Sequence, residues 1–265
     1  MVFGLGTYAF YWQGSDAVEV PLSVEAMVER THDLGCEVFQ ICDYPAIFSM
    51  SGSRLSALAN RANELGVKLE LGIRGVGADQ LLEALRIAQL LGATTVRTLL
   101  FNREEVKTME QAERDLLSSI SEYEASGIVV ALETYERSPS SELVSMVERI
   151  QNEFLGICLD PANTVAALEN PRDVIARCSP YVRNIHLKDF QFTRNDGWVG
   201  FQLTGACLGE GLLDVEGVLA CAQTTHGPAS IIVEHWLPWQ ENSHVTVEME
   251  RRWTQVAVDY LKERS

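Results

Sequence analysis

The feature that most constrains the fold is an alternation of two kinds of segment. Short runs rich in Val, Ile and Leu alternate, eight times, with longer stretches whose apolar residues fall three and four apart. The short runs read as strands over residues 2–8, 36–42, 67–73, 95–100, 128–134, 155–160, 182–188 and 230–236. The longer ones read as amphipathic helices, as in the stripe Leu81, Leu82, Leu85, Ala88, Leu90 and Leu91. Helix ends are marked at Leu34-Gly35, Leu65-Gly66, Leu91-Gly92 and Ser126-Gly127, where glycine can take the left-handed cap. Repeated strand–helix units predict an α/β protein with a parallel sheet. Eight of them in 265 residues match the roughly 250 at which a (β/α)8 TIM barrel closes, so one barrel domain is expected over residues 1–265. The longest irregular stretch, residues 190–213, follows the seventh strand, on the face where such barrels carry their active sites.

Composition removes several function classes. No apolar run approaches the roughly 20 residues that cross a bilayer. A formal charge of -16 without a basic patch opposes nucleic acid or an anionic membrane as partner. The first residues, MVFGLGTYAFYW, read as a strand and lack the basic flank of a secretory signal. Six cysteines without a CxxC pair predict reduced thiols. Both features lead to the expectation of a cytoplasmic protein.

Side-chain parity in the second half of the chain carries the functional reading, because alternate strand residues face the barrel axis or the helices. One set holds Val130, Leu132, Leu155, Ile157, Leu159, Ile185, Leu187, Ile231 and Val233, apolar residues suited to helix packing. The other holds Val129, Ala131 and Glu133; Gly156, Cys158 and Asp160; Val182, Asn184 and His186; Ser230, Ile232 and Glu234. This inward set ends, strand after strand, in Glu133, Asp160, His186 and Glu234. Three carboxylates crowded in one narrow mouth resist ionisation unless a cation neutralises them. The four residues therefore predict one divalent metal ion; oxygen-rich ligation with one imidazole suits manganese, magnesium or cobalt, and suits zinc less well. The competing account is that ion pairs with Lys188 or Arg97 satisfy the carboxylates.

The segments ALETYE, ICLDPAN, NIHLKDF, LGEGLLD and IIVEHW together resemble the xylose-isomerase-like barrel superfamily of sugar-phosphate isomerases and epimerases. The most specific parts are the His-x-Lys-Asp of His186, Lys188 and Asp189 and the Gly-Glu-Gly-x-x-Asp of Gly209, Glu210, Gly211 and Asp214. The resemblance implies that Glu133 and Glu234 bind the metal and exchange protons with substrate, while Asp160 and His186 are ligands alone. Proton removal beside a carbonyl leaves an enediolate that a cation stabilises. Two departures stand out: Asn163 occupies the place of a common histidine three residues past the aspartate, and Glu133-Thr134-Tyr135 replaces Glu-Asn-His. The substrate pocket has diverged.

Other residues are candidates for substrate contact. Lys188 shares the parity of His186 and reads either as a substrate-binding ammonium or as a structural ion pair. Arg74 and Arg97, with Arg194 and Glu210 in the long loop, are candidate substrate-binding residues, and arginine favours an anionic ligand. Glu70 paired with Arg74 or Arg97 as a buried strut is an equal alternative. Tyr8, Phe10, Tyr11, Trp12, Trp236 and Trp239 read as a pocket wall or, equally, as cover for a homo-oligomer interface. His235 has the wrong parity for the metal cluster, and His32, His226 and His244 read as exposed. The first functional expectation is metal-dependent isomerisation or epimerisation of a keto sugar or sugar acid, a small-molecule carbohydrate, through the enediolate. The alternative is decarboxylation of a 3-oxo sugar acid, which makes the same enediolate by losing carbon dioxide and uses the inward cations to seat a carboxylate. A sugar-binding barrel that kept its metal but not its catalysis is the non-enzyme alternative. A three-metal apurinic endonuclease is excluded by the missing histidines and the acidic surface.

Overall fold

The computed structural model describes residues 1–102, 107–224 and 227–265. Eight strands, β1 (Phe3–Gly6), β2 (Val38–Cys42), β3 (Lys68–Arg74), β4 (Thr95–Leu99), β5 (Val129–Glu133), β6 (Leu155–Leu159), β7 (Val182–Leu187) and β8 (Ser230–Val233), close into a barrel. Each pairs in parallel with its neighbours, and β1 joins β8 through Phe3 opposite Ile231. Helices pack around the outside, and the predicted glycine caps are all left-handed, with φ of 72° at Gly35, 71° at Gly66, 65° at Gly92 and 66° at Gly127. No helix is long and apolar enough to cross a membrane among the described residues.

The two faces of each strand separate as parity demands. Val130, Leu132, Ile157, Leu159, Ile185, Leu187, Ile231 and Val233 are buried in the core between strands and helices. Val182 belongs to that core too, contrary to its expected inward direction. The pairing shifts between Ile157 and Cys158, so Val182 stands opposite the outward-facing Ile157. The helix Ala78–Leu91 buries Leu81, Ala84, Leu85, Ile87, Ala88 and Leu91, while Leu82, expected in the stripe, is 43% exposed.

Residues 190–213 are less irregular than their sequence suggests. Asp189–Arg194 and Phe201–Ala206 form an antiparallel hairpin that extends β7 beyond the barrel. The last helix, Ser243–Lys262, returns to the first strand's exit: buried Glu250 accepts hydrogen bonds from the backbone N–H groups of Trp12 (2.8 Å) and Gln13 (3.0 Å). All six cysteines are buried and free. His32 and His244 are exposed, and His226 lies outside the described residues.

Candidate active site

Four consecutive strands deliver the four expected ligands to the C-terminal mouth. Glu133 ends β5, Asp160 follows β6, His186 lies in β7 and Glu234 follows β8. Asp160 caps the short helix that follows it, its Oδ1 accepting from the N–H of Asn163 at 3.2 Å, which leaves Oδ2 turned inward. Thr134 Oγ1 bonds both the N–H and the carbonyl of Asp160 at 2.8 Å and fixes that backbone. All four side chains are buried. His186 Nδ1 faces one oxygen of each carboxylate, at 3.6 Å from Glu133, 3.8 Å from Asp160 and 3.4 Å from Glu234.

Cations line the same mouth. Lys188 Nζ lies 2.6 Å from Asp160 Oδ2 and 2.9 Å from Glu234 Oε2, and Arg97 Nε contacts Glu133 Oε2. The ion pairs foreseen as the competing account are thus present, and they do not complete the site. His186 Nδ1 and Glu234 Oε1 are buried with no hydrogen-bond partner among the described residues, and Glu133 Oε2 and Asp160 Oδ2 meet only Arg97 and Lys188. Native interiors leave few such atoms unpaired, and two on neighbouring expected ligands call for a missing partner. Three carboxylate oxygens and one imidazole nitrogen are the donor set of a divalent cation, so these residues fit a metal. Two compact groups of donors, Glu133 with Cys158 and His186, and Cys42 with His186 and Glu234, lie within 4.8 Å of one another among the described residues; Asp160 is in neither. Burial raises both thiols well above their usual range, so they remain protonated beneath the carboxylates.

Electrostatics follow from this crowding. Burial raises Asp160 to about 6 even with Lys188 beside it. Against the same desolvation, Arg97 and then His186 hold Glu133 far below the usual carboxylate range. Burial would lower His186, but Glu234 and Glu133 raise it above its ordinary value. Burial opposes charge on Lys188 also, and Asp160 and Glu234 overcome it and keep the ammonium.

A cavity of about 360 Å³ opens above these groups, walled by Tyr8, Tyr135, Leu203 and Trp236 among others, with Arg74 and Arg97 on one side. Arg74 pairs in a bidentate manner with Asp43, both contacts at 2.8 Å, and donates to Tyr8 Oη at 3.0 Å. Asp43 adopts a left-handed backbone, φ 49°, which aspartate tolerates better than most residues other than glycine. Neither arginine pairs with Glu70, which removes the strut reading; Glu70 lies deeper in the barrel and is held by Gln40, Asn184 and Ser230. Of the expected aromatic wall, Tyr8 and Trp236 line this cavity, and Tyr11 stacks on Tyr8 at 5.9 Å. Asn163 donates to Glu133 Oε1 at 2.6 Å.

Two expected substrate residues are not in the cavity. Arg194 sits exposed on the hairpin with its guanidinium 4.4 Å over Phe201, and Glu210 is exposed on the following turn. The Gly-Glu-Gly segment works through its backbone instead: Gly209 and Gly211 N–H donate to Asp189 Oδ2 at 3.0 and 2.9 Å, and Leu213 N–H to Oδ1 at 3.0 Å. His235 is a packing residue, buried with Nε2 at 3.1 Å from Thr254 Oγ1. Sequence reasoning missed Gln40 and Asp43; polar residues within or just after a buried apolar run were the available signal.

Comparison with known proteins agrees with this geometry. Residues 28–263 match the family model of the xylose isomerase-like TIM barrel. The 3-oxo-isoapionate decarboxylase of Pectobacterium atrosepticum is 42% identical over 265 residues, covering 100% of this chain and 96% of the relative. Among solved structures, D-psicose 3-epimerase of Clostridium cellulolyticum H10 superposes with a TM-score of 0.74 at 14% identity, over 99% of both chains. A xylose isomerase-like TIM-barrel protein of Mycobacterium smegmatis in complex with magnesium gives a TM-score of 0.67 at 16% identity, covering 98% of this chain and 96% of that one. Taken with the closed barrel and the four-residue mouth, the matched span places this chain in the xylose isomerase-like TIM-barrel family.

Proposed function

We propose that this chain is a divalent-metal-dependent carboxy-lyase that releases carbon dioxide from a 3-oxo sugar acid. The observation that carries the proposal is the set of cationic side chains brought into a carboxylate-rich cavity. Arg74, Arg97 and Lys188 line it together with Glu133 and Glu234. Beside a divalent cation held by the carboxylates, these three cations favour an anionic substrate such as a monocarboxylate over a neutral ketose. The end-to-end likeness to a decarboxylase at 42% identity supports the same reading over isomerisation. Manganese, magnesium or cobalt is the proposed metal, and the magnesium of the Mycobacterium smegmatis protein of this fold is in keeping with that set.

When bound by Glu133, Asp160, His186 and Glu234, such a cation supplies positive charge beside the 3-oxo group and stabilises the enediolate. The chain supplies the rest. Asp43 and Tyr8 hold the Arg74 guanidinium at the rim, where its side chain is 30% exposed and meets the substrate carboxylate. The carbon–carbon pair passes into the new double bond, carbon dioxide leaves, and the carbon that lost it takes a proton. The Lys188–Glu234 pair, joined at 2.9 Å, delivers that proton from inside the mouth. Trp236, with the ammonium 4.9 Å from its ring centroid, covers the sugar face and excludes water.

The test is a panel of 3-oxo sugar acids and ketoses given to metal-reconstituted protein in deuterated buffer. Carbon dioxide release from the acids is expected. Deuterium uptake by ketoses without carbon dioxide would return the site to isomerisation or epimerisation, to which Glu133 and Glu234 are equally suited. Inertness across the panel would favour a binding protein.

A further inference from the structure

Beneath the mouth lies a second layer of buried polar groups that the proposed reaction does not use. Glu70 is 5% exposed and lies in the barrel interior, in no ion pair with Lys or Arg among the described residues. Its carboxylate is satisfied by neutral donors: Gln40 Nε2 at 2.8 Å, Asn184 Nδ2 at 3.0 Å and Ser230 Oγ at 2.5 Å. Burial pushes Glu70 above the ordinary carboxylate range, and the three donors aimed at it oppose that push, so a carboxyl group kept at this depth calls for a role.

The donors and acceptors of this layer can be assigned by elimination. A carboxylate only accepts, so the Gln40 amide must turn its NH2 toward Glu70 and its carbonyl oxygen the other way. That oxygen lies 2.7 Å from His186 Nε2 and also takes the Cys42 thiol at 2.8 Å. The thiol, held protonated by burial, is a donor and fixes the same orientation. An acceptor at Nε2 requires Nε2 to carry the imidazole proton. In the neutral ring that can ligate a cation, Nδ1 then carries the lone pair, toward Glu133, Asp160 and Glu234, the side on which it has no hydrogen bond.

From this chain of contacts we propose that Glu70 and Gln40 are positioning residues that set the tautomer of His186 and thereby prepare Nδ1 as a metal ligand. Glu70 acts through Gln40 and touches neither metal nor substrate. Partners of this kind change metal affinity by roughly 10–100-fold when removed. The inference rests on the reading of the mouth as a cation cage and is independent of decarboxylation.

Two measurements test it, neither of them an activity assay. Nitrogen-15 spectra of the imidazoles in magnesium-loaded protein are expected to show His186 protonated at Nε2; a proton on Nδ1 would overturn the proposal without recourse to any variant. Manganese titration, on protein whose circular dichroism matches the parent, is expected to show Gln40→Leu binding 10–100-fold more weakly. The exchanged pair Gln40→Glu with Glu70→Gln keeps an acceptor at His186 and a donor behind it, and is expected to bind within about threefold of the parent. Parent-like binding by Gln40→Leu, or loss of binding in the exchanged pair equal to that of Gln40→Leu, would overturn the relay. A parent chain that binds no divalent metal would instead remove the cage.

Discussion

Single residues decide what the mouth can hold. Parity alone placed Glu133, Asp160, His186 and Glu234 together, because a strand offers only two directions and the apolar residues had claimed one of them. Parity says nothing of depth, so Glu70 and Arg74, four positions of β3 apart with Gly72 between them in the same row, looked alike in sequence; one lies in the barrel interior and the other at the rim. Nor does it foretell partners, and the bidentate grip of Asp43 on Arg74 was invisible for that reason. Replacing Arg74 with Lys keeps the charge and loses the fork, so KM for the acid substrate should rise about tenfold or more with a smaller change in kcat; an unchanged KM would remove Arg74 from the substrate site. His235 gives a pH prediction. Burial lowers it from 6.5 to about 4, so between these values the unfolded chain binds a proton that the folded chain does not. Stability is therefore full above the unfolded value and falls as the pH drops below it, by about 2 kcal/mol between pH 7 and pH 5. Urea unfolding in the presence of a chelator, compared with a His235→Gln variant, should show that increment in the parent alone.

At the scale of elements, helices and strands were legible from periodicity and from four glycine caps, while the segment after β7 was not. The hairpin of Asp189–Arg194 with Phe201–Ala206 carries polar residues, two glycines at its tip and exposed Phe192 and Phe201, so its alternation never read as a buried strand. Asp189 ties this excursion back to the barrel. Its carboxylate accepts from the N–H groups of Phe190, Gly209, Gly211 and Leu213, and a Cβ on Gly211 would stand 2.3 Å from Asp189 Oδ1. The segment that offered Glu210 as a substrate-binding candidate thus forms a clamp, with glycine required by close approach. An Asp189→Ala variant should lose about 3 kcal/mol, since four N–H groups, those of Phe190 and Leu213 buried, lose a charged acceptor, and limited proteolysis should cut first within residues 207–214. Wild-type resistance there would show that the turn holds without the clamp.

For the molecule as a whole, closing the barrel forces like charges into one dry mouth, and the fold tolerates this by pairing each carboxylate with a cation or leaving it an open valence. A ligand that binds the folded chain alone adds about 2.7 kcal/mol at a hundred times its dissociation constant. Chelation should accordingly lower the melting temperature by several degrees, and manganese or magnesium should restore it. The most direct measurement is anomalous diffraction from crystals soaked in manganese. One peak is expected, bonded to Glu133, Asp160, Glu234 and His186 Nδ1. A peak on the Cys42 or Cys158 sulfur, or a mouth in which Lys188 and Arg97 keep every carboxylate and no manganese enters, would contradict the account.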